Sequence, residues 1–108
     1  MPFGDAGPSF ADLEASAGQA ARLLKLLANE RRLIILCRLI EREMTVNSLA
    51  EAVGLSQSAL SQHLAKLRED GLVTFRREGT TLHYRIADPT TARVIGVLKD
   101  LFCAPAQA

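Results

Sequence analysis

The sequence predicts a mainly α-helical domain with one small β-hairpin, in the order α-α-α-α-β-β-α. Three observations carry that prediction. Apolar residues recur at helical spacing in four segments before residue 71 and in one after residue 88. Between residues 72 and 86 the pattern changes to β-branched and aromatic residues in partial alternation, on either side of a Gly-bearing turn. The chain has 108 residues, 48% hydrophobic and 23% charged, which suits one globular domain and is too apolar for disorder.

Met1 to Ser9, with Pro2, Gly4, Gly7 and Pro8, reads as a disordered tail, and residues 105–108 as a second, which leaves the domain over 10–104. From Phe10 to Ala28 a first helix is expected, with Leu13, Ala17, Ala20, Leu24 and Leu27 on one face. That Ala-rich face suits close packing, including packing against another subunit. Asn29 is expected to cap a second helix, with Glu30 in the first turn, where the helix dipole favours negative charge. Leu33, Leu36, Cys37 and Ile40 form its stripe, and Ile34, Ile35 and Leu39 widen it. A helix apolar over most of its girth belongs at the centre of the fold.

Thr45 is expected to cap the third helix, which turns Leu49, Ala50 and Val53 inward. Gly54 stands where that helix must stop, because glycine takes the left-handed conformation without a side-chain clash. Ser56 then caps the fourth helix, whose Leu60, Leu64 and Leu67 share one face. Its outward face carries Gln57, Ser58, Ser61 and Gln62, which both donate and accept hydrogen bonds, as base edges require. Two helices, a Gly turn and a polar second helix form a helix-turn-helix pattern. Gly71 ends the fourth helix. Leu72–Phe75 and Leu82–Ile86 are expected to pair as a hairpin with the basic, polar tip Arg76-Arg77-Glu78-Gly79-Thr80-Thr81. A hairpin there looks like the wing of a winged helix-turn-helix. Asp88 and Pro89 open the last helix as cap and first residue, Val94, Leu98, Leu101 and Phe102 form its apolar face, and Pro105 stops it.

A surface of Ser and Gln is often no more than solvated. The order helix, turn, helix, basic hairpin is rarer than its parts and points to nucleic acid. The formal net charge of +1 does not announce such a partner, so placement matters more than the sum. Lys66, Arg68, Arg76, Arg77 and Arg85 lie where they could meet phosphates. No apolar run is long enough to span a bilayer and no signal peptide is evident, so a cytoplasmic location is expected, with no membrane partner. Cys37 and Cys103 are far apart in sequence, with no CxxC or zinc-knuckle spacing. In a reducing compartment they are not expected to form a static disulfide. On an apolar stripe, Cys37 reads as a small inert hydrophobe, and nothing local marks either thiol as reactive.

The segment from Leu23 to Cys103 resembles the ArsR/SmtB family of bacterial winged-helix repressors. The resemblance rests on LLKLLANERRLIILCRL, on LAEAVGLSQSALSQHLAKLREDGLV and on RREGTTLHYRI. It implies a homodimer paired through the first and last helices. It also implies a palindromic double-stranded operator, bound without inducer and released when a signal arrives. Carried over to this chain, Gln57, Ser58, Ser61, Gln62 and His63 would make groove and phosphate contacts. Arg68, Arg76, Arg77 and Thr80 would mainly touch the DNA backbone.

Metal sensors of the family carry a Cys-x-Cys motif, but the positions flanking Cys37 that could complete one hold Ile35 and Leu39. The last helix has no His. No metal and no other cofactor is expected, since two lone thiols fall short of a convergent donor set. Cys37 and Cys103, the latter in Leu101-Phe102-Cys103, instead resemble the thiol pair of the family's sulfide- and redox-responsive subgroup. That implies a switch in which reactive sulfur (persulfide or polysulfide) or an oxidant links the two sulfurs and releases the operator. The alternatives are a metal-sensing member of the family and a small thiol reductase. The reductase would need a base or a second thiol near Cys37, which the sequence does not offer.

Overall fold

A computed structural model describes residues 7–103. Residues 1–6 of the tail expected at 1–9, the tail expected at 105–108, the domain's last residue, and Pro105 as a helix stop lie outside the described residues, while Ser9 at the end of the first tail is ordered as the cap of α1. The elements are α1 (Phe10–Ala15), α2 (Ala17–Leu27), α3 (Glu30–Glu41), β1 (Met44–Thr45), α4 (Val46–Val53), α5 (Gln57–Glu69), β2 (Val73–Glu78), β3 (Thr81–Ile86) and α6 (Pro89–Phe102).

The caps fall where side-chain chemistry puts them. Asn29, Thr45 and Ser56 each accept a hydrogen bond from the backbone N–H three residues on, and Asp88 accepts from Thr90. Gly54 ends α4 at φ 70°, in the left-handed region. Gly71, at φ 81°, lies one residue past the cap Asp70.

Two elements differ from expectation. The single helix over Phe10–Ala28 is broken at Ser16, which closes α1 and opens α2. α1 has its own start, a reciprocal cap in which Asp12 N–H donates to Ser9 Oγ and Ser9 N–H donates to the Asp12 carboxylate. Ser16 and Gly18, both weak helix formers, sit at the break. The hairpin gains a third strand. β1 pairs antiparallel with β3, Met44 opposite Tyr84 and Thr45 opposite His83, giving the order β1-β3-β2. Two residues are too few to carry a period, so nothing in the sequence announced this strand.

The core joins Leu26 and Leu27 of α2, Ile35, Leu36 and Leu39 of α3, the inward leucines of α4 and α5, Val73, Tyr84 and Ile95. The inward face of α3 is therefore Ile35, Leu36 and Leu39. Cys37 and Ile40 are exposed and Leu33 is half-buried. Ile95 is the core residue of α6, while Leu101 and Phe102 are 71% and 81% exposed. Phe10, Leu13 and Leu24 are also exposed. Helical spacing identifies an apolar face but not what covers it, and among the described residues several large apolar side chains are exposed.

Candidate nucleic-acid interface and thiol groove

α5 is set in rotation by Leu60, Leu64 and Leu67, all buried beneath it. The opposite side presents Gln57, Ser58, Ser61 and Gln62, all exposed. Gln57 Nε2 donates to Asn47 Oδ1 of α4, which ties the start of α5 to the helix before it. Ser58 shares a 3.3 Å hydroxyl contact with Ser56. Ser61 and Gln62 are free of side-chain partners among the described residues. His63 lies off this face. It is half-buried against α3, and its Nδ1 accepts from Arg32 Nε at 3.4 Å. Burial, with Arg32 and Arg31 nearby, holds its pKa below the ordinary histidine value.

Behind α5 the sheet supplies the wing. Strand alternation divides its side chains. Phe75 and Arg77 share the core-facing side with Val73, Tyr84 and Leu82, while Arg76, Glu78, His83 and Arg85 share the outer side. Arg68 places its guanidinium 4.3 Å from the centre of the Phe75 ring, a cation–π contact that fastens α5 to the wing. Phe75 in turn packs on Tyr84, with ring centroids 5.3 Å apart. Arg76 is held by Glu43 at 3.0 Å and by Glu78 at 3.6 Å. Arg77 is exposed and has no ion-pair partner among the described residues. Thr80 stands exposed at the tip beside Gly79, whose φ of 64° makes the tight turn. A polar groove of about 390 Å³ runs between α4, α5 and the wing tip, lined by Thr45, Asn47, Gln57, Thr80 and Thr81.

Four participants escaped sequence reasoning. Asn47 anchors Gln57, Arg32 meets His63, and Glu43 pairs with the wing. The fourth, Arg22 of α2, reaches the end of α5 and bonds Asp70 at 2.6 Å. The Asp70 side chain is only 6% exposed, and the Arg22 hydrogen bond holds its carboxyl below the usual range. None of these contacts is local, so no spacing in the sequence marks them.

The two thiols come together at a second place. Cys37 on α3 and Cys103, the residue that follows α6, line one groove of about 560 Å³. Leu33, Ile40, Ile95, Leu98 and Phe102 are its apolar walls, and Glu41 and Lys99 also line it. Both cysteines are unlinked and exposed in the single chain. The Cys37 thiol is nevertheless pushed above its ordinary value, first by desolvation, then by Cys103 and Glu41. Among the described residues no group of three or more His, Cys, Asp or Glu side chains is arranged to hold a metal.

The pattern shared by this fold and these sites has relatives. A family model described as bacterial regulatory protein, arsR family, matches residues 29–74. The transcriptional activator HlyU of Vibrio cholerae is 44% identical over 104 residues, covering 95% of this chain and 96% of that protein. The chain belongs to the ArsR family. Reduced HlyU from Vibrio cholerae superposes with a TM-score of 0.80 at 46% identity, covering 86% of this chain and 98% of that one. The transcriptional repressor BigR from Xylella fastidiosa reaches 0.85 at 37% identity, over 91% and 100% of the two chains. The homodimeric winged helix-turn-helix domain of Mb0332 from Mycobacterium bovis reaches 0.73 at 41% identity, over 90% and 89%. This ArsR-family chain is thus a transcriptional regulator with a winged helix-turn-helix. Its relatives are regulators and not enzymes, which removes the thiol reductase alternative.

Proposed function

We propose that this protein is a homodimeric repressor that grips an operator duplex with α5 and the β2–β3 wing. It lets go when Cys37 and Cys103 are bridged by reactive sulfur or by an oxidant. The observation that carries the sensing half is that both thiols line one groove between α3 and α6. α3 also reaches the DNA-facing helix, since Arg32 contacts His63 five positions before Cys37. The dimer half is supported by the exposed apolar residues Leu13, Leu24, Val97, Leu101 and Phe102 and by the homodimeric relative Mb0332. The HlyU and BigR likenesses lend weight to operator binding, one named an activator and the other a repressor.

In the reduced dimer two recognition helices sit about one DNA turn apart, each presenting Ser58, Ser61 and Gln62 to base edges, with Gln57 steadied by Asn47. Arg77 and Thr80 meet backbone oxygens from the wing. Bridging by an organic persulfide converts the two protein thiols to a disulfide, and the persulfide leaves as one thiol and one molecule of hydrogen sulfide. With hydrogen peroxide the same two thiols give a disulfide and two waters. A direct disulfide requires Cα atoms within about 7 Å. A polysulfide bridge retains extra sulfur and spans more. Either bridge draws α6 toward α3 and changes the angle between the two halves of the dimer. A coupling of about 1–3 kcal/mol, or roughly 5- to 150-fold in operator affinity, is typical of such a change.

The test uses an operator selected from a random-sequence pool with reduced protein. Binding is then measured for reduced, persulfide-treated and peroxide-treated dimer, with the intact mass of each. The expected result is loss of affinity together with a mass change that reports the bridge. A Cys37→Ser, Cys103→Ser variant that still releases DNA on treatment would overturn the switch and leave the operator-binding half standing.

A further inference from the structure

The wing has three arginines, Arg76, Arg77 and Arg85, yet only Arg77 is unpaired among the described residues. The cause is Glu43. One carboxylate oxygen meets Arg76 Nε at 3.0 Å and the other lies 3.8 Å from Arg85 Nη1. Glu78 adds a second carboxylate to the same face, 3.6 Å from Arg76 Nη1 and 3.1 Å from His83 Nε2. The outer face of the wing therefore carries two guanidinium groups and two carboxylates, and its formal charge cancels.

Glu43 is delivered there by β1. That strand pairs Met44 with Tyr84, so the next step of the register sets residue 43 across from Arg85. The side chain is less exposed than either arginine, which keeps it over the sheet. Resting on the DNA-interface reading above, we propose that Glu43 restrains the wing's hold on duplex DNA by standing in for phosphate on two wing arginines. Guanidinium binds carboxylate and phosphate oxygens through the same forked geometry. A duplex must displace Glu43 before it gains either cation. A random duplex offers only backbone charge as compensation, and the counterions it would release are fewer by those two contacts. An operator adds base-edge contacts from Ser58, Ser61 and Gln62 but meets the same cost at the wing. The chain's near-neutral formal charge fits a regulator that limits its hold on bulk DNA.

The test needs no knowledge of the operator. Binding of the full chain to a random-sequence duplex of about 30 base pairs is followed by fluorescence anisotropy across salt, since affinity falls with log salt by about 0.9 per phosphate contacted. Glu43→Gln is expected to tighten that binding about 3- to 10-fold near 0.1 M salt and to steepen the slope by about 1–2. A selected operator should gain by a similar factor, so the ratio of operator to random affinity holds. Arg76→Gln with Glu43 intact leaves Glu43 and Glu78 less compensated and should weaken random-duplex binding. The triple variant Glu43→Gln, Arg76→Gln, Arg85→Gln should return to the wild-type slope. An unchanged slope in Glu43→Gln, or a steepening that persists in the triple variant, would overturn the assignment. Wild-type protein with no affinity for any duplex at low salt overturns the interface reading itself, and this inference with it.

Discussion

α5 and α6 are of similar length and both are amphipathic, but they are held in opposite ways. Every inward leucine of α5 is sealed, and further contacts hold its side chains and its cap residue: Asn47 at Gln57, Arg32 at His63, Phe75 at Arg68 and Arg22 at Asp70. α6 fully buries only Thr91 and Ile95, and while Leu98 packs against the core, Val97, Leu101 and Phe102 are exposed. The contrast shows that one chain by itself fixes α5. The last helix is only half-placed until something covers it. In the proposed dimer that cover is the second copy.

The sharpest way to break the comparison is to shorten one leucine on each helix. Leu60→Ala removes a fully buried side chain and should cost about 2–5 kcal/mol of folding stability in urea denaturation. Leu101→Ala should change the unfolding of the monomer by no more than about 0.5 kcal/mol, yet raise the dimer dissociation constant about tenfold by analytical ultracentrifugation. Equal losses of stability in both would show that α6 is covered within its own chain.

The next largest effect concerns what moves α6. Cys103→Ser should abolish the roughly 5- to 150-fold loss of operator affinity on persulfide treatment while leaving reduced binding intact. The same variant removes the Cys103 thiol, one of the groups that hold the Cys37 pKa up. Alkylation of Cys37 by iodoacetamide should therefore reach half its maximal rate at a lower pH than in the wild type. Arg77→Gln is smaller in effect and tests the α5 side. It should reduce the salt slope by about 0.9 and weaken all sequences alike.

The smallest effect is a pH dependence. His63 has a folded pKa below its unfolded value, so the unfolded chain takes the proton first as pH falls. Stability from the neutral ring is complete well above pH about 6.5 and declines as pH drops below that value toward the folded pKa. Thermal melts of wild type and His63→Gln should converge on acidification from about pH 7.5 to 5.5, if the Arg32 contact contributes as the geometry indicates.

The contrast between the two helices also explains what was legible in the sequence. α5 was readable because its determinants are local: a serine cap, three leucines on one face and a glycine after the end. The elements of the winged helix-turn-helix follow from such signals. Ser16 was not readable as a break, because the apolar pattern runs through it and only the competing cap at Ser9 and Asp12 starts α1 separately. Cys37 reads as core, since it shares a stripe with Leu33 and Ile40, but that stripe faces a groove and not the interior. The polar surface of α5 was foreseeable residue by residue. The pairing of Arg76 was not, because Glu43 reaches it through a strand of two residues.

The groove's two sides are also unequal in how firmly they are anchored. On one side, Cys37 rides a helix whose opposite face, Ile35 and Leu39, is buried in the core. On the other, Cys103 trails a final turn whose residues are almost bare. When a short tether tightens between a fixed post and a loose end, the loose end travels. A sulfur link would therefore reposition the tip of α6 and leave α3 in place, and the signal would leave the groove on the side away from the core.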